Sequence, residues 1–289
     1  MSTPVIEVDK LNLKYGEFHA VKDLSFEVRP GELYALLGTN GAGKTSALET
    51  VEGHRQATSG TVRVFGHDPG DRKAVRPRMG IMLQESGFSP DLTVRESVNL
   101  IGQLTARQDD TGRVLDVVGL TRKAGTLVSQ LSGGEKRRLD FATAVYGTPE
   151  LIFLDEPTTG LDIQSRDSLW ESVDRLRENG STIVLTTHYL EEAQQRADRI
   201  GLMHQGVLRR EGTVGELTRT LPSHIRFAAG PQPLPLASTE RDGVTVIETF
   251  QLQKDLHVLL GWAQDHGVEL RDLSAGPTSL DDVFRAIEA

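Results

Sequence analysis

The segment Gly38–Thr45, which reads Gly-Thr-Asn-Gly-Ala-Gly-Lys-Thr, constrains the fold of this 289-residue chain more than any other feature. The apolar run Leu33–Leu37 precedes it and predicts a buried strand, and Thr45–Glu52 predicts a helix directly after it. A strand, a glycine-rich loop and a helix in this order are the context in which a G-x-x-x-x-G-K-[ST] sequence binds phosphate. We therefore expect an α/β fold that binds a nucleoside triphosphate at this loop.

The chemistry of each loop position supports that expectation. Glycine residues let the backbone turn sharply and bring its N–H groups against phosphate oxygens, which a Cβ would block. The N-terminus of the following helix adds partial positive charge. We expect Lys44 to contact the β- and γ-phosphates and the Thr45 hydroxyl to ligate Mg²⁺. The residues predicted to bind the nucleotide in this loop are Gly38, Thr39, Asn40, Gly41, Ala42, Gly43, Lys44 and Thr45.

Two acidic residues, Asp155 and Glu156, end the apolar run Leu151–Leu154. A buried strand of a parallel sheet delivers its last side chains to the carboxyl edge, where ligands bind. Asp155 there suits a role in binding Mg²⁺, usually through water. Glu156 can accept a proton from an attacking water molecule.

Three further polar residues follow or lie near predicted strands. Gln84 ends the run Ile81–Leu83, His188 follows the predicted strand Thr182–Thr187, and Asp162 lies just past the two acids. Each has an ordinary structural interpretation: an exposed loop amide, a polar residue at a helix N-terminus and a helix cap, respectively. Their order relative to the glycine loop and the acidic strand end favours roles at the nucleotide instead.

The segment Leu131–Glu135, Leu-Ser-Gly-Gly-Glu, lies between the glycine loop and the acids. Its small residues open the predicted helix Glu135–Val145 and offer free N–H groups to which a nucleotide can come close. The glycine loop, Gln84, this segment, the two acids, Asp162 and His188, taken in this order, resemble the ATPase subunits of ABC transporters. Within this resemblance, the Leu-Ser-Gly-Gly segment argues against a P-loop kinase or GTPase.

The resemblance extends over about Val5 to Leu217. It implies a P-loop NTPase fold with a RecA-like core, an antiparallel β-subdomain and a helical subdomain that carries the signature sequence. The cofactors that it implies are ATP and Mg²⁺. The roles that it implies are catalysis by Glu156, His188 and Lys44, metal binding by Thr45, Gln84 and Asp155, and stacking of Tyr15 on adenine.

The family also implies an arrangement of two subunits. The signature of one subunit binds the γ-phosphate held by the opposite subunit, and Asp162 matches the D-loop of the same interface. The signature residues are Ser132, Gly133, Gly134 and Glu135. Glu135 stands where glutamine is usual, and it places a negative charge near the nucleotide.

The pattern of the chain predicts two domains, an ATPase cassette at 1–217 with a helical subdomain at about 87–147, and a small α+β appendage at 218–289. In the appendage we expect strands at Val244–Phe250 and Val268–Leu273. Leu256, Leu259, Leu260 and Ala263 predict a helical face. Ser279-Leu-Asp-Asp282 predicts a capping box for a last helix. The ending Ser279–Phe284 resembles the tail of daunorubicin-resistance ATPases, which serve ABC-2-type exporters.

Composition excludes some classes of function. A net charge of −9 and a pI of about 5.4 argue against a nucleic-acid binder. The chain has no cysteine, which fits a reducing compartment. Its longest run without a charged residue is Phe227–Thr239, which contains three prolines. This run is too short to cross a bilayer, because a membrane-spanning helix needs about 20 apolar residues. We therefore expect that a separate polypeptide forms any transport path.

The leading hypothesis is an ATP-hydrolysing subunit that drives efflux of a drug or another hydrophobic substrate. It would lie at the cytoplasmic face of the membrane and work as a dimer, with a homodimer expected, beside separate transmembrane permease subunits. One alternative is a soluble ABC ATPase acting in DNA repair or on ribosomes, which usually carries coiled-coil insertions or two cassettes in one chain. Another alternative is the ATPase subunit of an importer.

Overall fold

The structure, a computed structural model, describes residues 3–83, 87–228 and 233–288. The chain divides into two compact units, Met1–Glu211 and Gly212–Ala289. The boundary between the units lies close to the predicted domain boundary at 217/218, and the separate roles of the two domains stay a prediction. Within the described ranges, no helix has both the length and the apolar character needed to cross a bilayer.

The first unit contains two sheets and a group of helices, with strands and helices numbered in chain order. Its strands are β1 (Ile6–Tyr15), β2 (Phe18–Val28), β3 (Leu33–Gly38), β4 (Ser59–Val64), β5 (Met79–Met82), β6 (Leu151–Asp155), β7 (Thr182–Thr186), β8 (Arg199–His204) and β9 (Val207–Gly212). Its helices are α1 (Lys44–Val51), α2 (Arg72–Val75), α3 (Val94–Thr105), α4 (Thr111–Val117), α5 (Gly133–Val145), α6 (Ile163–Glu178) and α7 (Leu190–Arg196), with short 3₁₀ turns at Arg76–Arg78, Thr121–Lys123 and Val128–Gln130.

The central sheet has the strand order β5-β6-β7-β3-β8-β9. The strands β5, β6, β7, β3 and β8 run parallel to one another. They are almost wholly apolar because both faces of a parallel sheet are buried, and Leu33–Gly38 is buried at every position. Their carboxyl ends meet at one edge, where Asp155 of β6 pairs in register with Thr186 of β7. The glycine loop after β3 therefore opens beside the two acids, and the predicted α/β fold with a P-loop core is confirmed.

The predicted antiparallel sheet is also confirmed, with the order β2-β1-β4. Buried and exposed residues largely alternate along β2 from Val21 to Val28, as expected when one face of a sheet covers a core. Helix α1 contacts β1, β2 and β4 as well as β3, so it packs against both sheets. The turn between β1 and β2 brings Tyr15 opposite Phe18.

The segment predicted to be helical contains α3, α4 and α5. Helices α3 and α5 each begin with a capping box, which satisfies two backbone N–H groups at the helix start. The spacing of Val114, Val117 and Val118 predicts that they share one apolar helical face. This prediction is wrong for Val117, which is 39% exposed while Val114 and Val118 are buried. The buried face of α4 turns toward Leu115 instead, about 100° from Val114 on a helix of 3.6 residues per turn.

The second unit is an α+β fold. It contains the strands β10 (Ser223–Ala228), β11 (Thr239–Arg241), β12 (Val244–Thr249) and β13 (Ser274–Gly276), and the helices α8 (Val214–Thr218), α9 (Leu252–His266) and α10 (Leu280–Glu288). The sheet order is β11-β12-β10-β13, and each neighbouring pair of strands is antiparallel. Ile225, Phe227, Ile247 and Leu259 form its buried core. The predicted capping box is confirmed, since the Ser279 N–H donates to the Asp282 carboxylate at 3.0 Å.

Two predictions for this unit are wrong. The predicted strand Val268–Leu273 is absent from the described structure, because Gly267 ends α9 in a left-handed conformation and the Val268 N–H bonds back to the Ala263 carbonyl at 2.9 Å. The strand begins later, at Ser274. Leu260 is 45% exposed, and the buried face of α9 instead contains Leu259 and Ala263.

Candidate functional site

The glycine loop is shaped by close packing against neighbouring backbone. A Cβ on Gly38 would lie 2.5 Å from the Met203 carbonyl oxygen, and one on Gly43 would lie 2.5 Å from that of Ala20. Gly43 also has a φ of 95°, in the left-handed region, which an L side chain rarely adopts. Helix α1 begins directly after Gly43 without a side-chain cap, so its first N–H groups are available to an anion.

Lys44 is held inside the loop. Its ammonium group donates to the Gly38 carbonyl at 2.6 Å and to the Thr39 carbonyl at 3.2 Å. Burial lowers the pKa of Lys44, while the nearby charges of Glu156 and Asp155 raise it. The side chain is therefore positioned beside the acids before any phosphate arrives, and Gly38 and Thr39 contribute through their carbonyl oxygens.

A cleft of about 300 Å³ joins the loop to the sheet edge. Its lining includes Tyr15, Phe18, Asn40, Gly41, Ala42, Gly43, Lys44, Thr45, Ser46, Asp155, Glu156, Thr186 and His188. The structure thus brings most of the predicted nucleotide, metal and catalytic residues to one cavity. Gln84, the remaining predicted metal ligand, lies outside the described residues.

Glu156 and His188 form the polar centre of the cleft. Glu156 is 5% exposed, and its Oε1 lies 3.1 Å from His188 Nε2. The backbone N–H of His188 also donates to Glu156 Oε2 at 3.3 Å. Burial raises the pKa of Glu156, and the charges of His188 and Lys44 oppose that rise. A carboxylate with a raised pKa is a better proton acceptor than an ordinary glutamate.

Asp155 has a different environment. The hydroxyl of Thr186 donates a hydrogen bond to Asp155 Oδ1, which fixes the orientation of this carboxylate. Asp155 lies at the end of its strand, while Glu156 leaves the sheet with a φ of 51°. The two neighbouring carboxyl groups therefore line the same cleft but are held by different contacts.

Tyr15 lies at the mouth of the cleft and is 42% exposed. Its hydroxyl is 2.9 Å from Ser46 Oγ, and the Arg55 guanidinium lies 4.5 Å from the centre of its ring. Phe18, which no sequence motif predicts as a site residue, is 63% exposed in the same cleft. Two aromatic residues that flank the short turn Gly16–Glu17 are the signal that could have identified it.

The signature segment opens α5 at a solvent-exposed end. Ser132 caps the helix, and its N–H donates to the Glu135 carboxylate at 2.8 Å. The ammonium of Lys123, a second residue that sequence reasoning missed, lies 3.2 Å from the other Glu135 oxygen. A Cβ on Gly133 would meet nothing within 4 Å, so this glycine leaves the surface open. Among the described residues that line the nucleotide cleft, none comes from Ser132–Glu135.

Asp162 caps helix α6, as its ordinary structural interpretation predicts. Its carboxylate accepts from the Ser165 N–H at 2.8 Å and from the Ser165 hydroxyl at 3.0 Å. The Ser165 N–H is also the main reason that the pKa of Asp162 lies below its usual value. A Cβ on Gly134 would be 3.7 Å from Leu161, so the segment before Asp162 lies beside the signature helix.

Comparisons with known families and curated proteins agree with this geometry. The ABC transporter family model matches residues 21–159, and the model of an ABC transporter domain-containing protein-like C-terminal domain matches residues 218–279. The chain is 36% identical to the Nod factor export ATP-binding protein I of Paraburkholderia xenovorans, over 98% of this chain and 97% of that protein. It is 35% identical to the daunorubicin/doxorubicin resistance ATP-binding protein DrrA of Streptomyces peucetius, over 99% of this chain and 92% of that protein.

Solved structures give the same result. An ATP-binding subunit of an ABC transporter superimposes with a TM-score of 0.70 at 25% identity, over 75% of this chain and 92% of that one. A dimeric ATP-binding cassette in a post-hydrolysis state, bound to ADP and Pi, superimposes with a TM-score of 0.67 at 26% identity, over 72% of this chain and 98% of that one.

The parallel sheet, the glycine loop and the acidic strand end define a P-loop nucleoside triphosphatase. Because its relatives match over almost the whole chain, the protein belongs to the ABC transporter family, and it is an ATP-binding subunit that hydrolyses ATP. The predicted family, fold and ATPase activity are confirmed.

Proposed function

We propose that this ATPase powers the export of a drug, an antibiotic or another hydrophobic substrate through separate membrane permease subunits. The observation that carries the proposal is the match to an exporter and a drug-resistance relative over 98% and 99% of the chain. That match includes the second unit as well as the cassette. The site of action is then the cytoplasmic face of the cell membrane, to which the chain binds peripherally through its permease.

The cleft supports specific roles for its residues. Glu156 accepts a proton from the attacking water, and His188, 3.1 Å away, orients the carboxylate. Lys44 contacts the phosphates from inside the loop. Tyr15 stacks on adenine through the face of its ring opposite Arg55.

Magnesium fits the oxygen donors at this site. The Thr45 hydroxyl and the Asp155 carboxylate line the same cleft, and hard oxygen ligands of this kind suit Mg²⁺, which keeps several water and phosphate ligands. Gln84 is proposed as a further ligand from the sequence. When bound, the ion neutralises charge that develops on the phosphate oxygens.

Two copies of the chain complete each ATP site. Ser132 and Gly133 of the signature are exposed at the start of α5, and no residue of Ser132–Glu135 contributes to the described lining of its own cleft. A dimer related by twofold symmetry would place this helix N-terminus against the γ-phosphate of the opposite copy. Asp162, which caps α6 beside the signature helix, then belongs to the same interface.

The Lys123–Glu135 ion pair gives a test of this arrangement. We expect Lys123→Ala to weaken ATP-driven dimerisation up to about fivefold, because the Glu135 charge is then unbalanced beside the opposite γ-phosphate. Adding Glu135→Gln removes that charge and should restore the parental dimer affinity. Sedimentation velocity in a Glu156→Gln background measures the dimer fraction, with the neighbouring exposed cation changed in Arg122→Ala as the control. Equal dimer affinity of Lys123→Ala and the parent would contradict the role of this pair.

Truncation tests the role of the second unit. That unit has its own core around Ile225, Phe227 and Leu259, and its α8 packs against α10. A chain that ends at Gly212 should therefore keep its ATP affinity within about twofold, because the described residues that line the nucleotide cleft all belong to the first unit, and it should lose dimer stability or transport. Equilibrium binding of a fluorescent ATP analogue and light scattering measure the two effects. An insoluble product, or one that cannot bind ATP, would show that the second unit belongs to the structural core of the cassette.

Transport itself is tested in inverted membrane vesicles that contain the chain and its permease. If the subunit drives export, inverted vesicles should take up a hydrophobic fluorescent substrate such as daunorubicin when ATP is added, because their cytoplasmic face points outward. Vesicles with Glu156→Gln should lose that uptake. Co-purification of the chain with ribosomes or DNA instead of membrane subunits would favour a non-transport ABC ATPase. ATP-dependent movement in the opposite direction would favour an importer.

A further inference from the structure

We infer that Arg137 of the signature helix is a positioning residue that holds the backbone of the catalytic acid in place. Arg137 is only 6% exposed. Its guanidinium donates to the carbonyl oxygen of Leu83 at 2.7 Å, to that of Glu156 at 2.6 Å and also to that of Asp155. One side chain thus joins α5 to the ends of β5 and β6. The inference rests on the proposed role of Glu156 as the proton acceptor.

The contacts explain why a charged residue is buried at this point. β6 ends at Asp155 and the chain then leaves the sheet, so carbonyl groups that the sheet does not pair need donors. A guanidinium supplies several N–H groups in one plane, whereas the ammonium of lysine is a single point. The Asp140 carboxylate, 3.9 Å away on the same helix, balances part of the buried charge.

Arg137 also helps to hold Glu156 in an unfavourable backbone conformation. Glu156 has a φ of 51°, which costs energy for a residue with a Cβ. Its N–H donates to the Thr186 carbonyl of β7 at 3.0 Å, and its own carbonyl accepts from Arg137. The turn is therefore fixed from both sides, and this directs the carboxylate of Glu156 toward His188.

Arg137 lies on the same helix as the signature residues Ser132–Glu135. The same helix begins with Ser132, which is proposed to meet the nucleotide of the opposite subunit. Arg137 lies between one and two turns later and holds the acid of its own subunit. Because the Arg137 side chain contacts the backbone of Glu156, a movement of α5 on contact with the opposite ATP would also move the backbone at Glu156.

Three variants test this role when ATP binding and turnover are measured separately. We expect Arg137→Met to lower kcat roughly 10- to 100-fold, because small displacements of a catalytic group have effects of this size. The ATP dissociation constant, measured directly with a fluorescent analogue, should change less than about twofold. Arg137→Lys should recover part of the loss, since it keeps one charged donor. Arg175→Met, on the exposed side of α6, is the matched control.

A double-variant cycle separates positioning from general stability. Adding Arg137→Met to Glu156→Gln should cause no further loss of the residual hydrolysis, because the carboxylate that Arg137 positions is already gone. If the two losses multiply, or if Arg137→Met hydrolyses ATP at the parental rate, the inference is wrong. Should Arg137→Met fail to fold in thermal denaturation, Arg137→Lys carries the test, and a parental kcat in that variant overturns the role. Parental hydrolysis by Glu156→Gln alone would instead refute the proposed base.

Discussion

Replacing Glu156 with glutamine is expected to slow ATP hydrolysis by about 10²–10⁴-fold while ATP still binds, because the amide keeps the shape of the side chain and cannot accept a proton. The variant should accumulate as an ATP-bound dimer, since hydrolysis no longer separates the two copies. A phosphate-release assay and light scattering with and without ATP and Mg²⁺ measure both effects. Glu171→Gln, at an exposed carboxylate on α6, is the matched control.

The pH dependence of hydrolysis checks the same assignment. Burial raises the pKa of Glu156, so its carboxylate is protonated at a higher pH than an ordinary glutamate. Parental activity should therefore fall as the pH decreases through this raised pKa, whereas the residual activity of Glu156→Gln should not show that decrease. Hydrolysis at the parental rate in Glu156→Gln would mean that another group accepts the proton.

Replacing Lys44 with alanine is expected to reduce both ATP binding and turnover. The ammonium group lies within the phosphate loop, and hydrogen bonds to charged groups contribute about 1.5–3 kcal/mol, which corresponds to a roughly 10- to 100-fold loss of affinity. Equilibrium binding of a fluorescent ATP analogue measures the loss. Lys73→Ala, an exposed lysine on α2, controls for the change in net charge. Parental affinity in Lys44→Ala would place the phosphates elsewhere.

Most of the first unit could be predicted from the sequence because its strands are buried on both faces. β3 and β7 read as unbroken or nearly unbroken apolar runs, and each begins or ends at a recognisable polar motif. The fold of the glycine loop followed from its spacing together with the predicted strand and helix that flank it. In these strands the apolar sequence pattern matches the burial in the fold, so the pattern was sufficient to predict a buried strand.

The second unit shows where the sequence pattern is insufficient. β13 consists of Ser274–Gly276, which carries no apolar signal and becomes a strand only through its hydrogen bonds to β10. β10 itself lies in a proline-rich stretch, where the alternation of Ile225 and Phe227 is easily overlooked. In α9, apolar residues occur on more than one face, so the sequence alone did not distinguish Leu259 from the exposed Leu260.

Only some residues of the candidate site could be predicted from the sequence. Residues within sequence motifs, such as Lys44 and Glu156, could be predicted because their spacing along the chain is fixed. Arg137 and Lys123 could not, because their partners lie far away in sequence, at Leu83 and Glu135 respectively. Contacts of this kind depend on the three-dimensional packing of α5, which leaves no periodic signal in the sequence.

Complementation between two inactive variants tests most directly whether two copies of the chain share each ATP site. Lys44→Ala removes the lysine of the phosphate loop but keeps the signature, and Ser132→Arg blocks the signature but keeps the loop. If each ATP site is built from both copies, an equimolar mixture should recover about a quarter of the parental ATPase rate, because half of the dimers then contain one intact site of two. A mixture no more active than the sum of the separate variants would contradict a shared site.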